Sequence, residues 1–311
     1  MSKTLVVFGA TGNQGGSLVD YVLNDRQFSK EFKVRGLTRN PSGSKGQALA
    51  NKGAEVARLD YDDPATIKEA VKGAHTVFAM TNTIYDRATR TKEIDQGKAI
   101  GDACVEAGVK YLLFSTSQRV DKISNGKLQN VTHFTFKARI EDYIRTLPIK
   151  SSFYSPGSFM QNFLGNQKPK PSPSGDGSYA VSCIYPESTE VPLIDIDDTG
   201  KFIGAILADP DKYEGKVLSA ADKLYNYSEI VSTLSKATGK NVVYKQLPVE
   251  VFKSSMPPGF NVELVEMFQL FGDYGYYGEG QKEKVEWSAN QARGKLTSLE
   301  EFFKKHPLTL E

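Results

Sequence analysis

The chain has 311 residues, of which 39% are hydrophobic, and 39 Lys and Arg stand against 37 Asp and Glu. That length buries a substantial core in one large unit or two coupled ones, and the composition excludes wholesale disorder. A net charge of +2 leaves no broad basic face for direct binding of nucleic acid, and two cysteines, Cys104 and Cys183, give neither a disulfide framework nor a metal-ligand spacing; each reads as a small buried side chain.

No window approaches the ~18 consecutive apolar residues of a membrane-spanning helix. Met1-Ser2-Lys3-Thr4 runs straight into an apolar stretch without a signal-peptide layout. A soluble cytoplasmic protein with no membrane contact is the expectation.

Leu5-Val6-Val7-Phe8 is an unbroken apolar run ending in glycine, as expected of a strand buried on both faces. Residues 13–24 place Leu18, Val19, Val22 and Leu23 on one helical face. Residues 32–38 and 55–59 read as strands, followed by a helix over 64–72 that starts at Pro64 and turns Ile67, Ala70 and Val71 inward. A strand at 75–80 leads to a long helix over 91–107, with Ile94, Ile100 and Cys104 inward and Gly108 as its stop; a fifth strand covers 111–114. Strands alternating with helices predict an α/β, Rossmann-type doubly wound parallel sheet.

Beyond Pro148 the rhythm breaks. The Pro, Gly and Ser-rich stretch 167–177 is a loop, either a plain linker or a lid over a ligand. A helix at 197–208 and a strand at 217–219 look like a return to the first sheet, and from Tyr227 the pattern is mostly helical. The expected division is 1–155 plus about 196–224 for the sheet domain, and about 156–195 plus 225–311 for a smaller, mainly helical carboxy-terminal domain.

The strongest signal is Gly9-Ala10-Thr11-Gly12-Asn13-Gln14-Gly15-Gly16, which follows a strand and opens a helix. Gly9 permits a tight turn, Gly12 lets a pyrophosphate approach the backbone, and Gly15 lets the helix pack close to the sheet. The amide groups at the helix start, from Thr11 to Gln14, then face the phosphate charge. The end of the second strand chooses the dinucleotide. An acid there would bond a ribose 2′-hydroxyl, but the chain has Leu37-Thr38-Arg39-Asn40-Pro41. Arg39 offers a fork that matches a 2′-phosphate, so NADP(H) is the expected cofactor, with Thr38 beside it. Asp60, ending the third strand, either bonds the adenine amino group or caps the helix that starts at Pro64. Thr81 and Asn82 end the fourth strand at the ligand-bearing edge; Asn82 either lies along the cofactor or forms a turn.

Val7 to Gly16 together with Gly36-Leu37-Thr38-Arg39-Asn40-Pro41 resembles the NmrA-like family, atypical relatives of the short-chain dehydrogenases and reductases. The likeness continues through Asp60-Tyr61-Asp62-Asp63, Met80-Thr81-Asn82, the stretch from Ser155 to Phe163, and Val191 to Asp198. It implies a Rossmann domain, a smaller carboxy-terminal domain and a preference for NADP. It also implies one of two roles, a redox sensor or transcriptional co-regulator, cytoplasmic and also nuclear, or a quinone or isoflavone-type reductase.

Ordinary reductases of that superfamily carry a tyrosine four residues before a lysine, and a serine at the end of the fifth strand. Here Lys137 is the lysine, and His133 stands in the tyrosine's place. The i, i+4 spacing keeps both on one helix face. A histidine titrates near pH ~6.5 and can serve as acid or base; the alternative is a surface histidine at a helix start. Lys137 can bond the nicotinamide ribose with or without chemistry, and Ser115, Thr116 or Ser117 can meet the nicotinamide amide. Ser155-Pro156-Gly157 turns the chain at the sheet edge, so that Phe159, Met160 and Asn162 face the nicotinamide or a substrate, unless Phe159 and Phe163 are core residues. The aromatic stretch Phe268, Phe271, Tyr274, Tyr276 and Tyr277 lines a pocket, a partner surface or the core. Intact cofactor loop and missing tyrosine favour a regulatory protein that answers to a protein partner. The alternative is an NADPH-dependent reductase of a small quinone or carbonyl substrate.

Overall fold

The computed structural model describes residues 2–84, 86, 88–256, 259 and 261–311; Met1, Tyr85, Arg87, Pro257, Pro258 and Phe260 lie outside the described residues. Strand β1 (Lys3–Val7) leads into helix α1 (Asn13–Asn24), and β2 (Phe32–Thr38) into α2 (Ser44–Asn51). Then follow β3 (Glu55–Arg58), α3 (Pro64–Val71), β4 (Thr76–Ala79), α4 (Lys92–Glu106), β5 (Tyr111–Ser115), α5 (Thr132–Ile144) and β6 (Lys150–Pro156). The chain then leaves the sheet for short strands β7 (Ser158–Phe159), β8 (Lys170–Pro171), β9 (Tyr179–Cys183) and β10 (Val191–Ile194). It returns through α6 (Thr199–Ala208) to β11 (Val217–Ala220).

The seven-stranded sheet has the order β11-β6-β5-β4-β1-β2-β3, and every pairing in it is parallel. Strand β1 lies inside it, between β2 and β4, where the winding direction reverses. The unbroken apolar run has its physical reason here. Leu5 and Val7 point into the core shared with α1 and α6, whereas Val6 and Phe8 point into the opposite core with α3, α4 and α5. Such a reversal leaves a crevice at the carboxyl ends of β1 and β4.

The remaining chain forms β12 (Lys223–Tyr225), α7 (Tyr227–Thr238), β13 (Val242–Gln246), α8 (Val249–Ser254), α9 (Asn261–Asp273), α10 (Gln281–Ala289) and α11 (Leu299–Lys305). Two small sheets, β12-β10-β7 and β13-β9-β8, pack with these helices around a third core. The region read as mostly helical thus also contains β13, which pairs in parallel with β9. Helix α10 returns to the large sheet, where Ser219 N–H donates to Ser288 Oγ at 2.8 Å.

Three local expectations change. The stretch at 167–177 is not a plain linker: Lys170 and Pro171 pair antiparallel with β9, and Ser172 N–H closes a turn onto the Ser178 carbonyl. The buried face of α4 begins at Glu93 and continues through Gln96, Gly97 and Ile100, while Ile94 is only half-buried. Helix α6 starts at Thr199, after a 3-10 turn at Ile196–Asp198. The aromatic stretch resolves to the core: Phe268, Phe271, Tyr276 and Tyr277 are buried and Tyr274 packs against them. Tyr276 and Tyr277 also donate their hydroxyls to the carbonyls of Pro156 and Ser155, bracing the end of β6. Both cysteines are free and buried. Among the described residues no helix is long and apolar enough to cross a membrane.

Candidate functional site

The site is built on the turn from β1 into α1. Gly9 has φ +63°, which L side chains rarely adopt, and it stands just after the end of β1. A Cβ on Gly15 would lie 2.4 Å from the Gly9 carbonyl oxygen and 2.7 Å from that of Phe8, so only glycine lets α1 start this close to the sheet. Gly12 is the N-cap, and no side chain caps the helix. Its first-turn amides therefore point outward unsatisfied, which is a ready anion site. Thr11, Gly12, Asn13 and Gln14 are exposed or half-buried, whereas Gly15 is buried beneath them.

Neighbouring strand ends close around this turn. Thr11 Oγ1 lies 3.5 Å from Thr38 Oγ1 at the end of β2. The next residue, Arg39, is exposed and has no ion-pair partner among the described residues. Ser115, ending β5, donates its hydroxyl to Gln14 Oε1 at 2.8 Å. Met80, after β4, lies under the glycine turn: its Sδ would be 2.8 Å from a Cβ on Gly9. The Tyr61 hydroxyl donates to the Met80 carbonyl at 2.9 Å, and burial raises its pKa far above the ordinary phenol value, so it stays protonated. Asp60 is not the helix cap. Asp63 takes that role, accepting from the Ala65 amide at 3.0 Å, while Asp60 accepts from the Asp62 amide and stands 3.9 Å from Arg58.

The face expected to carry proton transfer is arranged differently. Helices α4 and α5 pack closely because Gly97 has no side chain; a Cβ there would meet Ile140 Cδ1 at 2.5 Å. That approach sets Lys137 against Glu93. Lys137 Nζ donates to Glu93 Oε1 at 2.5 Å, to the Thr81 carbonyl at 3.0 Å and to Thr81 Oγ1 at 3.2 Å. Thr81 Oγ1 itself donates to Glu93 at 2.8 Å. The Glu93 side chain is 1% exposed and that of Lys137 18%. All three ammonium donors are thus engaged within the protein.

His133 shares a helix with Lys137 but not its partners. Its Nδ1 bonds Glu263 Oε1 of α9 at 2.5 Å, and the Thr132 hydroxyl donates to the same oxygen at 3.3 Å. Burial pushes the Glu263 carboxyl up, but the bonds from His133 and Thr132 outweigh it and hold it below the ordinary value. Glu266, one turn on, accepts from the Asn130 amide at 2.6 Å. Helix α9 therefore covers the start of α5 with two carboxylates. Neither Glu93 nor Glu263 is among the residues expected from the sequence. Glu93 falls on the helical face shared by Gln96, Gly97 and Ile100, which is the signal that identifies it; Glu263 carries no such local signal.

The other expected residues are spread along the same edge. Asn82 is exposed just after Thr81, and Ser155 at the end of β6 is buried, its hydroxyl accepting from Gln118 Nε2 at 2.7 Å. Met160 and Phe163 are core residues, and Phe159 is half-buried against the core of α1 and α6.

The sequence profile of the NmrA-like family matches residues 1–303. The chain belongs to the NmrA-like family. It is 32% identical to an NmrA-like family domain-containing protein of Dictyostelium discoideum, over 98% of each chain. It is 30% identical to the NmrA-like oxidoreductase FrzB of Cladobotryum sp, covering 79% of this chain and 76% of that one. Among solved structures, the negative transcriptional regulator NmrA in complex with NADP superposes with a TM-score of 0.77 at 20% identity, covering 98% of this chain and 97% of that one. The Citrobacter sp. triphenylmethane reductase complexed with NADP(H) reaches 0.75 at 20%, over 97% and 99%. The NmrA-like fold accounts for the Rossmann-type sheet with its carboxy-terminal helices.

Proposed function

We propose that this NmrA-like protein binds NADP(H) and acts as a redox-sensing regulatory protein that answers to a protein partner. Residues of this chain fit the cofactor. The uncapped start of α1 suits the pyrophosphate, and Arg39, exposed and without an ion pair among the described residues, suits a 2′-phosphate. The nicotinamide, when bound, supplies hydride chemistry. The observation that carries the regulatory reading is the saturation of Lys137: its three donors are taken by Glu93 and Thr81, and His133 is held by Glu263. A ribose hydroxyl gains a bond from Lys137 only if one of these internal bonds is given up. Occupancy then matters through what it does to this edge of the sheet, and it shifts a partner's affinity only by its differential affinity for the two arrangements.

The reductase reading has its own support. Several relatives are named oxidoreductases, including FrzB, and the Citrobacter structure is a reductase. Incubating the protein with NADPH and a panel of quinones and carbonyl compounds, while following the nicotinamide absorbance, separates the two. Binding without oxidation is the expected result. Turnover that disappears in both Lys137→Ala and His133→Ala establishes the reductase instead.

A further inference from the structure

A second cluster of titratable groups lies away from the glycine turn, where the chain leaves β10. Asp195 is 0% exposed. Its Oδ1 accepts from Gln161 Nε2 at 2.7 Å and from the Asp197 amide at 3.2 Å, but its Oδ2 is buried without a hydrogen-bond partner. His306, just beyond α11, presents a buried Nε2 that also has no partner. Ligand atoms of Asp195, Asp197 and His306 all lie within 4.8 Å of one another. Two orphaned buried polar atoms within one such cluster are costly unless something satisfies them.

Charge argues for a cation. The neighbouring Asp198 is already matched by Lys201 at 2.6 Å and by the Thr297 amide. Among the described residues the Lys or Arg ion-paired with Asp195 is Lys305, whose Nζ is 3.9 Å from Asp195 Oδ2, beyond hydrogen-bond reach, on a side chain 56% exposed and bonded to Thr297. That ammonium is free to swing into solvent as a metal enters.

We propose that Asp195, Asp197 and His306 bind a divalent transition cation of the Zn2+ class, with water completing the shell. Two carboxylates and an imidazole suit such borderline metals; Mg2+ and Ca2+ prefer an all-oxygen set. Gln161 is the positioning residue, since its bond to Oδ1 aims Oδ2 at the site. Metal–ligand distances of about 2.0–2.2 Å need the exposed Asp197 and the terminal His306 to draw inward. The cation would staple the end of α11 to the turn before α6, a turn whose Asp197 carbonyl accepts from Ser17 Oγ of α1 at 2.7 Å.

The test uses the full chain, stripped with a chelator, desalted, and given Zn2+ in the presence of excess Mg2+. A single equivalent should remain after gel filtration and raise the melting temperature. His306→Gln and Asp197→Asn should each lose that equivalent and the shift, with Gln161→Leu weakening binding roughly 10–100-fold. His75→Gln should keep both. Melting curves in chelator show whether each variant folds, and the two ligand variants alter side chains at the surface or past a helix end. No retained Zn2+, or an equivalent that persists in both His306→Gln and Asp197→Asn, overturns the site and leaves a bridging water as the occupant.

Discussion

The turn from β1 into α1 and the facing edge of α5 lie on the same rim of the sheet, yet they handle polar groups in opposite ways. Around the turn, donors are left without internal partners: the α1 start is uncapped and Arg39 is exposed with no ion pair among the described residues. Along α5, the two side chains that face this rim are answered from within, Lys137 by Glu93 and His133 by Glu263. Open donors cost little in water and wait for an anion. A buried ion pair such as Lys137–Glu93 holds its two side chains against each other, and removing one partner leaves the other uncompensated.

The largest test of that contrast is Lys137→Ala. It leaves the Glu93 carboxylate buried with only Thr81, so it should cost about 3–5 kcal/mol in urea unfolding. Glu93→Gln added to it should restore most of the loss, because no uncompensated charge remains. Unchanged stability in Lys137→Ala would mean that the lysine is poised for chemistry rather than anchored. Next in size is Gly15→Ala. The new Cβ meets backbone atoms of Gly9 and Phe8, which cannot rotate away, and overpacking of this kind costs about 3 kcal/mol. A variant with wild-type stability would show that α1 can back away from the sheet, and that the close approach is not required.

The same contrast explains what the chain reveals before it folds. The glycine turn is local: Gly9, Gly12 and Gly15 lie within one strand-to-helix step, and Arg39 is the residue after a strand whose ends the pattern marks. Local chemistry also carries the seven parallel strands, since Leu5 to Phe8 must be buried on both sides. Where two residues compete for one local role, spacing alone does not choose: Asp63 caps α3 because it directly precedes Pro64, and Asp60 lies too far upstream. The α5 edge depends on partners remote in sequence. Glu93 is buried because Gly97 lets Ile140 approach, and Glu263 reaches His133 from a helix in another core. Periodicity places Glu93 on the inward face of α4 but does not name Lys137 as its partner, and nothing local marks Glu263. The hairpin at β8 is hidden similarly, since its proline-rich composition resembles a linker until β9 supplies the pairing.

On the open side, Arg39→Ala should weaken NADPH binding by about 1.5–3 kcal/mol, or roughly 10–100-fold, with little change for NADH. Isothermal titration with both cofactors reads this directly. Equal losses for the two would assign Arg39 to something other than the 2′-phosphate, and no loss for either would remove it from the site.

The smallest effect is a pH dependence on the closed side. Glu263 is held below its ordinary value of 4.5 by His133 and Thr132 against the opposing effect of burial. A carboxyl whose folded pKa is depressed stabilises the fold above its unfolded pKa, and that contribution fades as pH falls through the folded value. Wild type should therefore exceed Glu263→Gln in stability by about 1 kcal/mol near neutrality, and the gap should narrow as the pH drops below 4.5. Melting curves of the two proteins across that range measure the gap. A difference that stays constant with pH would mean that Glu263 contributes as a neutral hydrogen-bonding group, and that the carboxylate cover over α5 is not electrostatic.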